Sequence, residues 1–330
     1  MNQPPRSKNR VCKIVVLEQN SIDPGDNPLT SIESLGDVSF FDRTSQFSEI
    51  VERAATANVL IINKAKITAE VLKRLPDLAL ICVTATGHDC VDINAARDHN
   101  VTVCNVPEYS TDAVAQHVFA LLLTLCRQAT MHDRRIREGA WQEHNEFCFW
   151  STPQIDLTGK TMGIVGLGRI GQRVAEIATA LKMKVSACSR TQSADFDYPG
   201  FRWLDLQTLF ANSDVVSLHC PLTQTSRQMV NESLLSRMRR SALLINTARG
   251  DLIVESDLAT ALAEERLAGA ALDTVSVEPI EPTNPLLTAP RCLLTPHLAW
   301  ATLAARKKLV EETAANISAF LSGAPRNVVG

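Results

Sequence analysis

The chain has 330 residues, of which 45% are hydrophobic and 21% are charged, and its formal net charge is −3. This composition excludes a disordered chain, and the near balance of charge gives no attraction to nucleic acid or to an anionic membrane. A chain of this length is expected to form about two domains. The most apolar stretch, residues 113–126, contains Gln116 and His117 and is too short to span a bilayer, so it predicts a buried helix.

The N-terminal segment and the cysteines indicate the cellular compartment. Residues 1–10 are basic but lead straight into an apolar run with no small-residue cleavage site, so no secretory signal is predicted. The nine cysteines form no CxxC pair, and their odd number does not suit a disulfide framework. We therefore expect reduced, mostly buried thiols in a cytoplasmic protein. No spacing of His, Cys, Asp and Glu indicates a metal site.

Short apolar runs alternate with helix-like segments along the chain. Runs that are apolar throughout are typical of parallel strands covered on both faces, and the alternation with helices predicts a doubly wound α/β protein. The predicted strands are 11–17, 59–62, 78–83, 101–103, 162–165, 184–188, 215–218, 243–245 and 269–272.

Two segments indicate where the domains divide. Residues 105–112 end a strand at Pro107 and then offer N-cap residues to the apolar helix. Residues 293–297 end another strand before a predicted helix over 302–321. The chain outside these two points, 1–107 and 298–330, is therefore expected to form one domain, and 108–297 the other.

The sequence GLGRIG, residues 166–171, follows the predicted strand 162–165 and opens a predicted helix over 172–180. In such a loop the first glycine permits a tight turn, the second lets the backbone approach a pyrophosphate, and the third lets helix and strand pack closely. The helix N-terminus then faces the anion. We therefore predict a dinucleotide site. A tight turn without a ligand and an S-adenosylmethionine site on a similar fold are the alternatives.

The end of the next strand indicates which dinucleotide is bound. A site specific for NAD places Asp or Glu about 20 residues after the loop, at the ribose hydroxyls. Here Ser189 occupies that position, and Arg190 and Thr191 follow it. A guanidinium and two hydroxyls can bind a 2′-phosphate that a carboxylate would repel. We predict a preference for NADP(H), with NAD(H) possible. The alternative is that Arg190 is a solvated loop residue.

Three further segments follow predicted strands, at 246–250, 273–279 and 295–300, where a doubly wound sheet binds its ligands. Reduction of a 2-oxo acid requires a guanidinium for the carboxylate and carbonyl, a proton donor, and a carboxylate that keeps this donor charged. Arg249, His297 and Glu278 supply one group of each type. Of the other histidines, His219 is expected to be structural, and His117 a surface or packing residue.

In order and spacing these segments resemble the D-isomer-specific 2-hydroxyacid dehydrogenases over nearly the whole chain. The resemblance also includes SLHCPLT at 217–223, while ATGHDCVD at 85–92 and EFCFW at 146–150 are most similar to the glycerate dehydrogenase, or hydroxypyruvate reductase, branch. It implies two Rossmann-like domains with doubly wound parallel sheets. Residues 1–107 and 298–330 would form a flavodoxin-like substrate domain, and 108–297 an NAD(P)-binding Rossmann domain.

The resemblance also implies roles for individual residues. Arg249 would bind the substrate, His297 would be the general acid and base, and Glu278 would pair with His297 and favour its charged form. Backbone amides around Thr86, Gly87 and His88 would hold the substrate carboxylate from the other domain. The residues expected to contact the cofactor are Thr111, Gly166, Gly168, Arg169, Ile170, Gly171, Ser189, Arg190, Thr191, Cys220, Pro221, Thr247, Ala248, Arg249, Asp273, His297, Ala299 and Trp300, with Asp273 near the carboxamide.

The activity that the resemblance implies is the NAD(P)H-dependent reduction of hydroxypyruvate or glyoxylate to D-glycerate or glycolate. One alternative is another 2-oxo acid reductase of the family, of the phenylpyruvate or phosphoglycerate type. The other belongs to a different class, because the same fold also serves as a dinucleotide-sensing module in the C-terminal-binding-protein corepressors. A sensing module would bind the cofactor with little turnover.

An aromatic segment interrupts the α/β alternation at residues 131–153. It contains Trp141, Phe147, Phe149 and Trp150 among charged residues, which is typical of a partner surface. In the family that the chain resembles, the corresponding arm packs a dimer, so a homodimer is expected. The alternative is a loop folded over its own domain.

Overall fold

The computed structural model describes residues 11–192 and 198–330. Its strands are β1 (Lys13–Val16), β2 (Asp37–Phe40), β3 (Val59–Ile62), β4 (Leu80–Val83), β5 (Thr102–Cys104), β6 (Thr161–Val165), β7 (Lys184–Cys188), β8 (Arg202–Trp203), β9 (Val215–Leu218), β10 (Leu243–Asn246), β11 (Gly269–Leu272) and β12 (Cys292–Leu294). Its α-helices are α1 (Thr30–Glu33), α2 (Phe47–Ala54), α3 (Ala69–Lys73), α4 (Ile93–Asp98), α5 (Thr111–Arg127), α6 (Ala129–Arg137), α7 (Ala140–Glu143), α8 (Arg169–Ala180), α9 (Leu206–Asn212), α10 (Glu232–Leu235), α11 (Glu255–Ala263) and α12 (Leu303–Leu321).

The chain divides into two compact units. The first unit extends to Tyr109 and resumes at Ala301, and the second is Ser110–Trp300. The sequence prediction placed these divisions after residues 107 and 297. In the first unit, Lys308 Nζ on α12 donates to the Glu108 carbonyl (3.1 Å). In the second unit, the backbone amides of Leu298 and Ala299 donate to Asp273 (2.9 Å each).

The first unit contains a five-stranded sheet in the order β2-β1-β3-β4-β5, in which every neighbouring pair is parallel. This is the flavodoxin-like order that the resemblance implies. Strands β3 and β4 are buried along their whole lengths, which explains why both are apolar at every position. Helix α12, from the other end of the chain, packs against β4 and α1 and buries Leu309, Val310 and Ile317.

The second unit contains a seven-stranded parallel sheet in the order β12-β11-β10-β9-β6-β7-β8. Consecutive residues of one strand belong to different cores. Ile164 in β6 packs in the cluster that includes α5 and α8, whereas Val165 packs in the cluster that includes α9, α10 and α11. Both faces are therefore covered by helices. The strand order reverses between β6 and β9, and in such sheets ligands bind outside the carboxyl ends of the strands at this point.

Differences from the sequence prediction are confined to weak patterns and to element ends. Strand β2 is only half-buried, and β8 has just two residues, so neither produces an apolar run. Helix α8 begins at Arg169, with Gly168 as its N-cap, rather than after Gly171 as the sequence suggested. The third glycine of the loop therefore lies inside the first helical turn.

No helix in the part of the chain that the structure describes is both long and apolar enough to cross a membrane. The cysteines are all free thiols, and Cys82, Cys90, Cys104 and Cys126 are buried. Burial raises the pKa of the Cys126 thiol to about 11, so this group stays protonated near neutral pH.

Candidate active site

The predicted site residues of the second unit follow the carboxyl ends of its parallel strands and therefore lie along one edge of the sheet. Each group follows a different strand. Gly166, Gly168, Arg169, Ile170 and Gly171 follow β6; Ser189, Arg190 and Thr191 follow β7; Cys220 and Pro221 follow β9; Thr247, Ala248 and Arg249 follow β10; Asp273 and Glu278 follow β11; and His297, Ala299 and Trp300 follow β12.

The glycine loop has the geometry that a bound pyrophosphate requires. Gly166 has a φ of +95°, and a Cβ there would collide with the backbone between His219 and Cys220. At Gly171 a Cβ would collide with the carbonyl of Gly166. Around Gly168, in contrast, a Cβ would meet no atom within 4 Å, so the space in front of this N-cap is open. The first turn of α8 presents its backbone N–H groups to that space.

Ser189 lies directly across from the start of the glycine loop. The Gly166 amide donates to the Cys188 carbonyl (2.8 Å), which continues the pairing of β6 with β7. Ser189 is half-buried, whereas Arg190 and Thr191 are exposed. The position that carries the ribose-binding acid in NAD sites therefore presents hydroxyls and a guanidinium here.

His297 and Glu278 form a hydrogen-bonded pair. His297 Nδ1 lies 2.7 Å and 2.9 Å from the two carboxylate oxygens of Glu278. The side chains are 22% and 30% exposed, so solvent or a ligand can reach both. Because Nδ1 is bound by the carboxylate, Nε2 is the ring nitrogen left to exchange a proton with a ligand. Such a pair can donate a proton while the carboxylate orients the ring.

The Arg249 loop is held by its own polar groups. Asn246 Nδ2 donates to the Arg249 carbonyl (2.9 Å), and the Ala248 amide donates to Asn246 Oδ1 (3.0 Å). Arg249 Nη1 donates to the Ala248 carbonyl (2.8 Å), and its side chain is half-buried. The guanidinium is thus attached to a rigid turn at the same sheet edge as His297.

Asp273 organises the turn that carries His297. One carboxylate oxygen accepts from Thr295 Oγ1 (2.6 Å) and from the Leu298 amide (2.9 Å), and the other accepts from the Ala299 amide (2.9 Å). The residue is only 1% exposed. Burial alone would raise the pKa of Asp273, but hydrogen bonds from His117, Thr295 and the two amides outweigh it and lower the pKa. The hydrogen bonds to Asp273 also fix the turn in which His297 adopts a left-handed backbone conformation, with a φ of 53°.

His117 and Thr295 share a hydrogen-bond network with Asp273 that the sequence did not predict. His117, on α5, lies 3.1 Å from Thr295 Oγ1 and 3.5 Å from Asp273 Oδ1 through its Nε2 atom. It therefore joins the network behind His297 instead of serving only as a surface or packing residue. The available signal was a histidine inside an otherwise apolar helix. Thr295 gave no signal beyond its place at the end of a strand.

The remaining residues expected at the cofactor lie on this same edge or next to it. Thr111 begins α5, and an ion pair between Asp112 and Arg173 (2.7 Å) brings this end of α5 to α8. Cys220 is partly buried, and burial raises its pKa to about 11, so its thiol stays protonated near neutral pH. The nearby His219 shares a hydrogen bond with Ser217 Oγ (2.8 Å), in keeping with a structural residue.

The carboxylate loop predicted in the first unit follows β4. Thr86 Oγ1 donates to the Val106 carbonyl (3.1 Å), and Asn105 Nδ2 donates to the Thr86 carbonyl (2.7 Å). Within residues 11–192 and 198–330, the amides of Thr86, Gly87 and His88 have no hydrogen-bond acceptor, and His88 Nδ1 is buried without a partner. The loop therefore presents donors to a ligand at the carboxyl edge of this sheet.

The geometry fits a nicotinamide dinucleotide. The open space at Gly168, the N-terminus of α8 and the polar groups after β7 are suited to the pyrophosphate and the ribose. In the described ranges, no three side chains of His, Cys, Asp or Glu come together in a way that could hold a metal ion.

Comparison with known proteins identifies the family. The family model for the NAD binding domain of D-isomer specific 2-hydroxyacid dehydrogenases matches residues 119–299. A hydroxypyruvate reductase from Blautia hydrogenotrophica is 40% identical over 319 residues, which cover 96% of this chain and 99% of that protein. A glycerate dehydrogenase from Methylorubrum extorquens is 38% identical over 320 residues, with 96% and 98% coverage.

Solved structures of two reductases are similar to this chain over nearly its whole length. An acyclic imino acid reductase in complex with NADPH and D-Arg has a TM-score of 0.85 at 32% identity and covers 96% of this chain and all of its own. An NADPH-dependent glyoxylate/hydroxypyruvate reductase from Sinorhizobium meliloti, in complex with NADP and malonate, has a TM-score of 0.84 at 25% identity, with 97% of both chains covered. The chain is an oxidoreductase that belongs to the D-isomer-specific 2-hydroxyacid dehydrogenase family, as its sequence motifs predicted.

Proposed function

We propose that the protein reduces hydroxypyruvate or glyoxylate to D-glycerate or glycolate with a nicotinamide dinucleotide. The observation that carries this proposal is the His297–Glu278 pair, with Nδ1 2.7 Å from the carboxylate, at the same sheet edge as Arg249 and the glycine loop. The names of the relatives support the substrate class, because they include hydroxypyruvate reductase, glycerate dehydrogenase and glyoxylate reductase.

In this proposal each residue has a defined task. The bound dinucleotide supplies the hydride, and Gly168 and the first turn of α8 hold its pyrophosphate. Arg249 binds the substrate carboxylate and stabilises negative charge on the carbonyl oxygen. His297 holds the proton at Nε2 and gives it to that oxygen, while Glu278 keeps the imidazole charged and oriented. The amides of Thr86, Gly87 and His88 bind the substrate carboxylate.

The variant His297→Gln tests the proposal. We expect its kcat with hydroxypyruvate to fall by about a hundredfold or more, because a positioned proton donor contributes about 10²–10⁴ to the rate. Its dissociation constant for NADPH, measured by quenching of tryptophan fluorescence, should remain near that of the unchanged protein.

The control is His99→Gln, which replaces a histidine of the first unit that bonds to its own helix. Near-normal turnover in His297→Gln would remove His297 from the mechanism. If the unchanged protein bound NADPH and reduced none of hydroxypyruvate, glyoxylate, pyruvate and phenylpyruvate, the proposal would fail and a cofactor-sensing role would replace it.

We further propose that NADP(H) is preferred over NAD(H). The support is the absence of a carboxylate at Ser189, the exposed guanidinium of Arg190, and the backbone bond that puts Ser189 across from Gly166. Two similar solved structures hold NADPH or NADP.

The double variant Ser189→Asp, Arg190→Ala tests this preference. We expect the ratio of kcat/KM for NADPH to that for NADH to fall by at least about tenfold, because an acid in this position repels the 2′-phosphate and binds the ribose hydroxyls. The control Arg237→Ala removes an exposed arginine of the same unit. An unchanged ratio in the double variant would show that these residues do not select the cofactor.

The protein is also proposed to act as a homodimer in the cytoplasm. The arm from α6 to residue 153 supports the dimer, because Phe147 is 86% and Trp150 is 69% exposed. The arm is nonetheless ordered by its own contacts, since Phe149 stacks on His144 and lies beside His132. The cytoplasm is proposed from the free cysteines.

A further inference from the structure

Glu278 lies on a segment that regular secondary structure does not hold in place. Between the end of β11 at Leu272 and the start of β12 at Cys292, the chain forms turns and one short 3₁₀ helix, Pro285–Leu287. Its hydrogen bond to His297 nevertheless requires a fixed carboxylate position. Some other group must therefore fix this segment.

Glu255, the first residue of α11, binds the segment on both sides of Glu278. One of its carboxylate oxygens accepts from the Ser276 amide (2.7 Å). The other accepts from Ser276 Oγ and from Asn284 Nδ2 (2.8 Å each). Asn284 Oδ1 in turn accepts a hydrogen bond from the Leu286 amide (2.9 Å). A single carboxylate thus closes the loop on either side of Glu278.

The same segment is packed against the Arg249 turn. A Cβ at Gly250 would collide with the peptide between Val275 and Ser276, so only glycine permits this approach. The Glu255 carboxylate also lies near β12: burial raises the pKa of Cys292 to about 12, and the charge of Glu255 adds to this increase. Glu255 therefore stands among the three segments that carry Arg249, Glu278 and His297.

We propose that Glu255 is a positioning residue for the reduction, which keeps Glu278 within hydrogen-bond distance of His297 by holding Ser276 and Asn284. The inference rests on the proposed function, since it assigns the machinery of that same site. Among the described residues, the hydrogen bonds of Glu255 go to Ser276 and Asn284 and not to the catalytic side chains. In this proposal it acts on the reaction through Glu278.

A different role for Glu255 would be to stabilise α11, because a carboxylate in the first turn interacts favourably with the helix dipole. Asp257 is the matched control for that role. It lies in the same first turn, and its carboxylate accepts the Glu232 amide (2.8 Å) without contacting the Glu278 segment. Asp257→Asn removes the same charge from the same helix end.

The first experiment compares Glu255→Ala, Glu255→Gln and Asp257→Asn in steady-state reduction of hydroxypyruvate. We expect Glu255→Ala to lower kcat by about tenfold to a hundredfold, because a small displacement of a catalytic group has effects of this size. Glu255→Gln, which keeps one accepting oxygen, should lose less, and Asp257→Asn should match the unchanged protein. The dissociation constant for NADPH should not change in any of them.

The decisive comparison is made in a Glu278→Gln background. If Glu255 acts through Glu278, adding Glu255→Ala to Glu278→Gln lowers kcat no further, so that the two effects are not additive. Additive losses would overturn the proposal. So would an unchanged kcat in Glu255→Ala, or a loss of NADPH binding in both Glu255 variants, because the residue would then support the whole unit.

A second readout needs no turnover. In protein with ¹⁵N-labelled histidine, the Nδ1–H resonance of His297 is identified by its loss in His297→Gln. Glu255→Ala should shift or broaden this resonance, and Asp257→Asn should leave it in place. If it stayed unchanged in both Glu255 variants, the inference would be wrong. If the unchanged protein reduced no 2-oxo acid, the proposed function would fail, while this resonance would still decide whether Glu255 positions the pair.

Discussion

The imidazole of His219 makes stability depend on pH. Removal from water lowers its pKa from 6.5 to about 3. Well above pH 6.5 neither the folded nor the unfolded chain protonates this ring, so it does not affect stability there. As the pH falls from 6.5 toward 3, only the unfolded chain takes up the proton. The folded state then loses up to about 1.4 kcal/mol per pH unit from this group.

Denaturant unfolding between pH 7 and pH 4 checks this prediction. In His219→Gln, the loss of unfolding free energy with falling pH should be smaller by about one proton's contribution than in the unchanged protein. His144→Gln, which replaces an exposed histidine of the arm, is the control. Identical slopes for His219→Gln and the unchanged protein would mean that this imidazole is accessible to protons in the folded state.

For individual residues, the sequence predicts which side chains the chemistry needs better than it predicts the groups that hold them in place. The chemistry requires the three groups that Arg249, Glu278 and His297 supply, and the structure pairs two of them, Glu278 and His297, directly. The hydrogen bonds that position these residues cannot be predicted in the same way. Glu255 and Glu278 are distant in sequence, and their relation depends on how α11 and the segment before β12 pack.

Among the elements, burial decides which ones the sequence reveals. Strands such as β3 and β9 are buried at every position and therefore appear as short apolar runs. Strand β2 is exposed or only partly buried at every position, so its sequence resembles that of an irregular segment. Strand β8 is too short to show a hydrophobic periodicity. Helix α8 begins earlier than the sequence predicts, because a glycine-rich loop has no apolar periodicity that would mark the first helical turn.

The arm formed by α6, α7 and the residues up to 153 has a testable role in assembly. Replacing Phe147 and Trp150 by Ser should convert a dimer to a monomer, because these are the two most exposed large apolar side chains of the arm. Light scattering coupled to size-exclusion chromatography at micromolar concentration measures the mass. The control replaces Val11 and Phe47, which are exposed in the first unit. A monomeric unchanged protein would contradict the dimer.

For the molecule as a whole, Arg306 connects the two ends of the chain within the first unit. It donates to both carboxylate oxygens of Asp26 (2.5 and 2.7 Å) and to the carbonyls of Ile22 and Ala301. Arg306 is only 8% exposed, and its hydrogen bonds lower the pKa of Asp26. Replacing it leaves several acceptors unpaired, which is costly where they are buried.

We expect Arg306→Met to lower the melting temperature of the first unit by several degrees, with faster hydrogen exchange in β1 and β3. Strands β6 and β9 of the second unit should keep their protection. Mass spectrometry of deuterium uptake distinguishes the two units. The control Lys307→Met removes the neighbouring, exposed cation of the same helix. Equal loss of protection in both units would argue against a local role for Arg306.

The assembly of the first unit from both ends of the chain has a consequence for synthesis on the ribosome. The second unit, Ser110–Trp300, is continuous and can fold as soon as it has emerged. The first sheet is translated earlier, yet α12 covers part of it with Leu309, Val310 and Ile317, which are made only after the second unit. The unit whose sheet emerges first is therefore completed after the second unit, and its apolar surface remains open to chaperones until α12 has been synthesised.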